Sequence, residues 1–199
     1  MAALQGGASG RMRLFIAALI PDTVRDALHK AREQLQRAVP DRALRWVAPD
    51  NYHITLLFLG EQDEARLPAI VQAMEAARAG VPPFTVAVQG LGVFPNWNRP
   101  NVLWAGVSEG GQPLAQMATA LERALLPAPS GKPFHPHITL ARLKTPCRDA
   151  DGLKKRLHDA TQRLASTDFG RYELRAISLM QSTLTPDGSV YTELHAVAL

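Results

Sequence analysis

A single cysteine, Cys147, in 199 residues leaves no partner for an internal disulfide and no thiolate cluster for a structural zinc. Long apolar runs are missing as well, for no stretch approaches the ~18 to 20 residues that span a bilayer. The opening MAALQGGASGRM lacks the charged start and the long apolar centre of a secretory signal. Dense basic tracts are absent too, although the formal net charge is +4 and Arg outnumbers Lys 17 to 5. These gaps exclude a disulfide scaffold, a helical membrane protein and a long-tract electrostatic binder. They leave a chain suited to a reducing compartment, most simply the cytoplasm. Its mild positive excess is compatible with an anionic partner such as nucleic acid. Two chemical signatures are also lacking: there is no Gly-x-Ser-x-Gly elbow and no glycine-rich Walker loop.

What is present is an ordinary globular composition, 46% hydrophobic and 20% charged. The length suits one domain, whose core can bury roughly 70% of the unfolded surface. Residues 1–12 read as a leader, with Met12 an alternative start, and 13–199 as a single bilobal domain. RLFIAALI, ended by Pro21, predicts a buried strand. Asp22 then predicts a helix cap, with Val24, Leu28, Ala31 and Leu35 on the apolar face. A turn at Pro49-Asp50-Asn51 precedes a strand closed by Gly60. Leu67, Ile70, Val71 and Met74 predict a second helix stopped at Gly80. FTVAV and LGVF, then VLWAGV, predict two strands around the turn NWNRPN. A helix over 112–126 follows, and after HITLAR another near 149–165. The chain closes on YELRAISLMQSTL and VYTELHAVAL, two strands about the turn Pro186-Asp187-Gly188. The order β-α-β-α-β-β-α-β-α-β-β predicts an α+β fold.

One tetrapeptide occurs twice in that order: His-Ile-Thr-Leu at His53 and again at His137. In a strand, residues i and i+2 share a face. His53 and Thr55 therefore point together, against Ile54, Leu56 and Phe58 in the core; His137 and Thr139 do so against Ile138 and Leu140. Two imidazole–hydroxyl pairs suit chemistry on a phosphate diester. One neutral imidazole takes a proton from attacking water while a protonated one supplies the departing oxygen. The threonine hydroxyls donate to the phosphate oxygens, and no metal is required. A second reading takes His135 and His137 as zinc ligands by their His-x-His spacing, which needs further ligands. A third, tied to the family resemblance described next, is a protein that binds RNA ends without turnover. Cys147 has no evident partner as a nucleophile, and His29, His158 and His195 lack any such context.

The paired motifs resemble the signature of the 2H phosphoesterase superfamily. RLFIAALIP, HITLLFLG, VLWAGV, FHPHITLAR and SLMQSTLTPDGSVYTEL resemble its RNA 2′,3′-cyclic phosphodiesterase branch, also called the 2′-5′ RNA ligase family, from Arg13 onward. The resemblance implies a bilobal fold of two pseudo-symmetric antiparallel sheets flanked by helices, with the active-site groove between them. It implies His53 as proton donor, His137 as proton acceptor, and Thr55 and Thr139 as phosphate-binding residues. The implied substrate is an RNA end with a 2′,3′-cyclic phosphate, opened to a 2′-phosphate without a cofactor; some members join or cleave 2′-5′ linkages. A monomer is expected. Arg142 closes the second motif in the family pattern, yet strict alternation puts it on the face opposite His137 unless the strand bends. Lys132 is a further substrate-binding candidate. Phe15, Trp46 and Phe134 are candidates to stack on the terminal base.

Overall fold

The helices lie where the apolar period places them. A computed structural model describes residues 10–39, 43–128, 131–144, 150–186 and 188–199. The elements run β1 Arg11–Leu19, α1 Asp22–Ala38, β2 Leu44–Trp46, β3 His53–Asp63, α2 Leu67–Arg78, β4 Phe84–Phe94, β5 Val102–Glu109, α3 Gly111–Leu125, β6 His137–Leu143, α4 Ala150–Gln162, β7 Asp168–Leu174, β8 Ala176–Thr185 and β9 Gly188–Ala198. Residues 1–9, Cys147 and Asp187 lie outside the described residues. Arg11 and Met12, assigned to the leader from the sequence, open β1 and pair with Asp63 and Gln62. Val24, Leu28, Ala31 and Leu35 are the buried face of α1, as their spacing requires. Asp22 is its first helical residue and not its cap; Pro21 holds that position, and the Asp22 carboxylate pairs with Arg25 at 3.1 Å.

All strand pairs are antiparallel, in the order β7-β4-β5-β6-β3-β1-β8-β9, with β2 added to β6. The two expected sheets are thus the two halves of one curled sheet. β9-β8-β1-β3 form the first lobe and β6-β5-β4-β7 the second, joined at a single register pair, Ile54↔Ile138. Beyond that pair β2 takes the free edge of β6, with Leu44↔Leu143 and Trp46↔Ala141, so β3 and β6 splay apart. Two helices cross between lobes, while α2 packs on β9 and α4 on β4, each within the lobe it follows. α1, which follows β1, packs on β7 and α4; α3, which follows β5, packs on β3 and α2. Each lobe therefore buries its inner face under a helix begun in the other.

YELRAISLMQSTL reads as one strand, but it breaks at Arg175 into β7 and β8. These segments stand near opposite ends of the sheet path. One residue of chain links them, so the sheet must curl back on itself. Sequence periodicity carries no information on which neighbour a strand takes, and here one apolar run serves three neighbours, β4, β1 and β9.

Candidate active site

The junction of the two lobes is also the centre of both motifs. Ile54 and Ile138 are fully buried, and the alternation of a strand puts their flanking residues on the other face. Antiparallel register around Ile54↔Ile138 sets His53 opposite Thr139 and Thr55 opposite His137. Directly opposed side chains have Cβ atoms about 4.5–5.5 Å apart and diagonal ones about 7–8 Å. The two imidazoles occupy one diagonal of this square and the two hydroxyls the other. A diagonal spacing of that order leaves room for a phosphorus atom between two rings. The motifs do not face each other across a wide gap; they stand side by side on one sheet.

Both rings are held in the same tautomer. His53 Nδ1 lies 2.8 Å from the Asn51 carbonyl, and His137 Nδ1 lies 2.7 Å from the His135 carbonyl. A carbonyl only accepts, so each Nδ1 carries a proton and each Nε2 is the nitrogen left for chemistry. His53 Nε2 sits 2.9 Å from Thr55 Oγ1, which donates to it while the ring is neutral. Burial pushes both imidazoles below their ordinary pKa. The carbonyl bonds pull each partly back, because they favour the charged ring. His53 is lowered further by the nearby His137, and His137 by His135 and Arg142.

Aromatic rings fix the positions. Phe15 lies under His53 at 4.9 Å between centroids, with Tyr191 edge-on to His53 at 5.4 Å. Phe15 is buried against these rings and is not a base platform. Phe94 stands edge-on to His137 at 4.8 Å, and Trp104 lies 6.4 Å from it. Trp104 can lie flat over the neighbouring strand because its cross-strand partner is Gly92. A Cβ there would collide with the indole ring. Gly92→Ala should therefore displace Trp104 and lower turnover several-fold, through the His137 wall and without touching substrate. Steady-state kinetics beside a melting curve check this; unchanged turnover in a folded variant would show that the wall does not position His137.

A break in alternation places the next residues. Thr139 pairs with Trp104 and Ala141 with Leu103, which leaves Leu140 as an extra residue, a β-bulge. The Leu140 carbonyl accepts from the Val47 N–H at 2.9 Å. Leu140 and Ala141 are both buried, and Arg142 returns to the face of His137 and Thr139. The first motif repeats this: Leu56 is the extra residue, Leu56 and Leu57 are both buried, and Phe58 is 62% exposed. The expectation that Phe58 enters the core is corrected by that bulge. The signal was present in the sequence, since Leu56-Leu57 and Leu140-Ala141 are apolar pairs where alternation demands a polar residue.

Thr55, Phe58, His137, Thr139 and Arg142 line a cleft of about 510 Å³, together with Lys132, Phe134 and His135; His53 is not among its lining residues, and its Nε2 lies 2.9 Å from the Oγ1 of Thr55, which is. Phe94 and, from α3, Ala118, Thr119 and Glu122 also line it; none of these four was singled out by the sequence. Trp46 is not among its lining residues and packs against the core with Arg32 over its ring. The zinc reading needs a third ligand beside His135 and His137, and among the described residues no three His, Cys, Asp or Glu side chains gather. His29, His158 and His195 are exposed and stand outside the cleft.

Comparison with known proteins adds an independent line. The profile of the family described as LigT like phosphoesterase matches residues 19–104 and again 106–191, so each match holds one His-Ile-Thr-Leu. An RNA 2′,3′-cyclic phosphodiesterase of Archaeoglobus fulgidus is 34% identical over 185 residues, covering 92% of this chain and 98% of that protein. One of Aquifex aeolicus is 34% identical over 172 residues, covering 83% and 88%. Among solved structures, E. coli LigT complexed with 3′-AMP superposes with a TM-score of 0.75 at 28% identity, covering 96% of this chain and 99% of that one.

Proposed function

The chain belongs to the LigT-like phosphoesterase family, and from that premise we propose that it is an RNA 2′,3′-cyclic phosphodiesterase working through two imidazoles without a metal. The observation that carries this reading is the crosswise register at Ile54↔Ile138, which sets the two imidazoles on one diagonal and the two threonines on the other, each Nδ1 being held by a carbonyl so that Nε2 is left for chemistry.

The reaction is an in-line displacement at phosphorus. His137 Nε2 takes a proton from water as its oxygen bonds to phosphorus. The P–O3′ bond breaks, and O3′ takes the proton from His53 Nε2–H. The products are a 2′-phosphate and a 3′-hydroxyl, with the proton now on His137 and returned through solvent. Thr55 and Thr139 donate to the non-bridging oxygens, and Arg142 balances their charge as the phosphorane forms. A 5′-hydroxyl in place of water would give a 2′-5′ linkage from the same two imidazoles, which is the ligase reading. Both motifs come from one chain, so a single copy suffices to form the site, and a monomer is the state proposed. No helix among the described residues is long and apolar enough to cross a membrane; a cytoplasmic setting is proposed from the cysteine content.

Hydrolysis of a cyclic-phosphate-ended oligoribonucleotide by pure protein in EDTA tests this. Affinity without conversion would leave the binding-only reading, and activity restored only by Zn²⁺ would leave the zinc reading.

The pH dependence follows from the depressed pKa values. His53 must be protonated and His137 neutral, so kcat/KM should be a bell reporting two macroscopic values of the coupled pair. Burial disfavours the imidazolium, so the acid is lost early as pH rises, and both limbs should fall below the ordinary value of about 6.5. A bound phosphate anion favours the imidazolium, so the alkaline limb of kcat should lie at higher pH than that of kcat/KM. A kcat/KM that keeps rising above neutral pH would contradict this assignment.

A further inference from the structure

His135 and Asn51 hold equivalent places, two residues before each histidine, and their carbonyls do the same work. Their side chains do not. Asn51 Nδ2 donates to the Ser189 carbonyl at 2.7 Å and is spent on tying the first motif to β9. The His135 ring is exposed and lines the cleft. It stands edge-on to Phe94 at 5.3 Å and to Trp104 at 5.0 Å, nearly parallel to His137 at 6.4 Å. These contacts hold an imidazole in a fixed orientation beside the catalytic one, with no step in the hydrolysis for it to perform.

Charge is divided unevenly between the walls of the cleft. Lys132, His135 and Arg142 all belong to the side that leads into or lies on β6. The α3 side carries Glu122, the one carboxylate among the lining residues, and β3 contributes Phe58. An RNA end brings more than its cyclic phosphate: one nucleotide back lies the phosphodiester to the preceding residue. Lys132 offers an ammonium, and an imidazole offers at least one N–H donor in either protonation state.

We infer that Lys132 and His135 form a second phosphate subsite, which takes the phosphodiester joining the terminal nucleotide to the one before it. The inference rests on the proposed reaction and narrows its substrate: RNA ends are favoured over free cyclic mononucleotides.

The test compares a nucleoside 2′,3′-cyclic monophosphate with the dinucleotide of the same terminal base in wild type, Lys132→Ala, His135→Asn and the double variant, with folding checked by thermal melting. Wild type should favour the dinucleotide about tenfold in kcat/KM, the scale of one charge-assisted hydrogen bond. Each variant should raise the dinucleotide KM more than the mononucleotide KM, and the double variant should remove the preference. The salt dependence of the dinucleotide KM should also weaken in Lys132→Ala, by about 0.7 in log–log slope for the lost cationic contact. Equal use of both substrates by wild type would overturn the subsite alone. Equal losses on both substrates in the variants would also overturn it, leaving His135 a support for His137. No turnover of either substrate by wild type would overturn the cyclic phosphodiesterase reading, and this inference with it.

Discussion

His137→Ala should lower turnover by about 10²- to 10⁴-fold and leave the fold intact, and His53→Ala should do the same, the usual scale for a positioned acid or base. The two losses differ in their structural side effects. His137 sits at the cleft edge, and its removal frees the His135 carbonyl at an exposed residue, which water can satisfy. His53 packs between Phe15 and Tyr191, so alanine there leaves a hole beside one buried and one half-buried ring. His53→Gln fills most of that space without supplying an acid and separates chemistry from packing. Near-wild-type turnover in any of these variants, measured on folded protein, would remove the two-imidazole mechanism.

Thr139→Val and Thr55→Val keep the shape of the strand and delete only a hydroxyl. Each should cost about 10²- to 10³-fold in kcat, the scale of losing one donor to a developing oxyanion. Thr55→Val should do more than weaken binding, because Thr55 Oγ1 is also the partner of His53 Nε2 at 2.9 Å. Its pH profile should shift, whereas that of Thr139→Val should keep its shape. A rise in KM with kcat unchanged in both variants would mean that the hydroxyls bind substrate and transition state equally, contrary to their assigned part.

The motifs were legible in the sequence because each is a local pattern. His-Ile-Thr-Leu twice, with Ile54 and Ile138 on the buried parity, was enough to choose the four central residues. The helices were legible for the same reason: Val24, Leu28, Ala31 and Leu35 repeat at helical spacing. What depended on strand neighbours was not legible. Alternation alone put Phe58 in the core and Arg142 on the far face, and the bulges at Leu56 and Leu140 reversed both. The break at Arg175 is invisible to periodicity, because apolar residues continue through it. Glu122 and Thr119 reach the cleft only because α3 crosses to pack on β3, a long-range choice that no short window records. The side-chain part inferred for His135 likewise required knowing that the Phe94 and Trp104 rings stand beside it.

The division of labour between the two imidazoles is tested most directly by a change in the leaving atom. A cyclic phosphate with sulfur in place of O3′ expels a thiolate, which needs no protonation to depart. If His53 is the acid at that position, His53→Ala should hydrolyse the sulfur substrate at close to the wild-type rate while remaining defective on the oxygen one. His137→Ala should stay defective on both, because water must still lose its proton. Recovery of His137→Ala in place of His53→Ala would show that the substrate lies the other way round and that the roles are exchanged. Failure of both variants to recover would contradict acid catalysis at O3′ altogether.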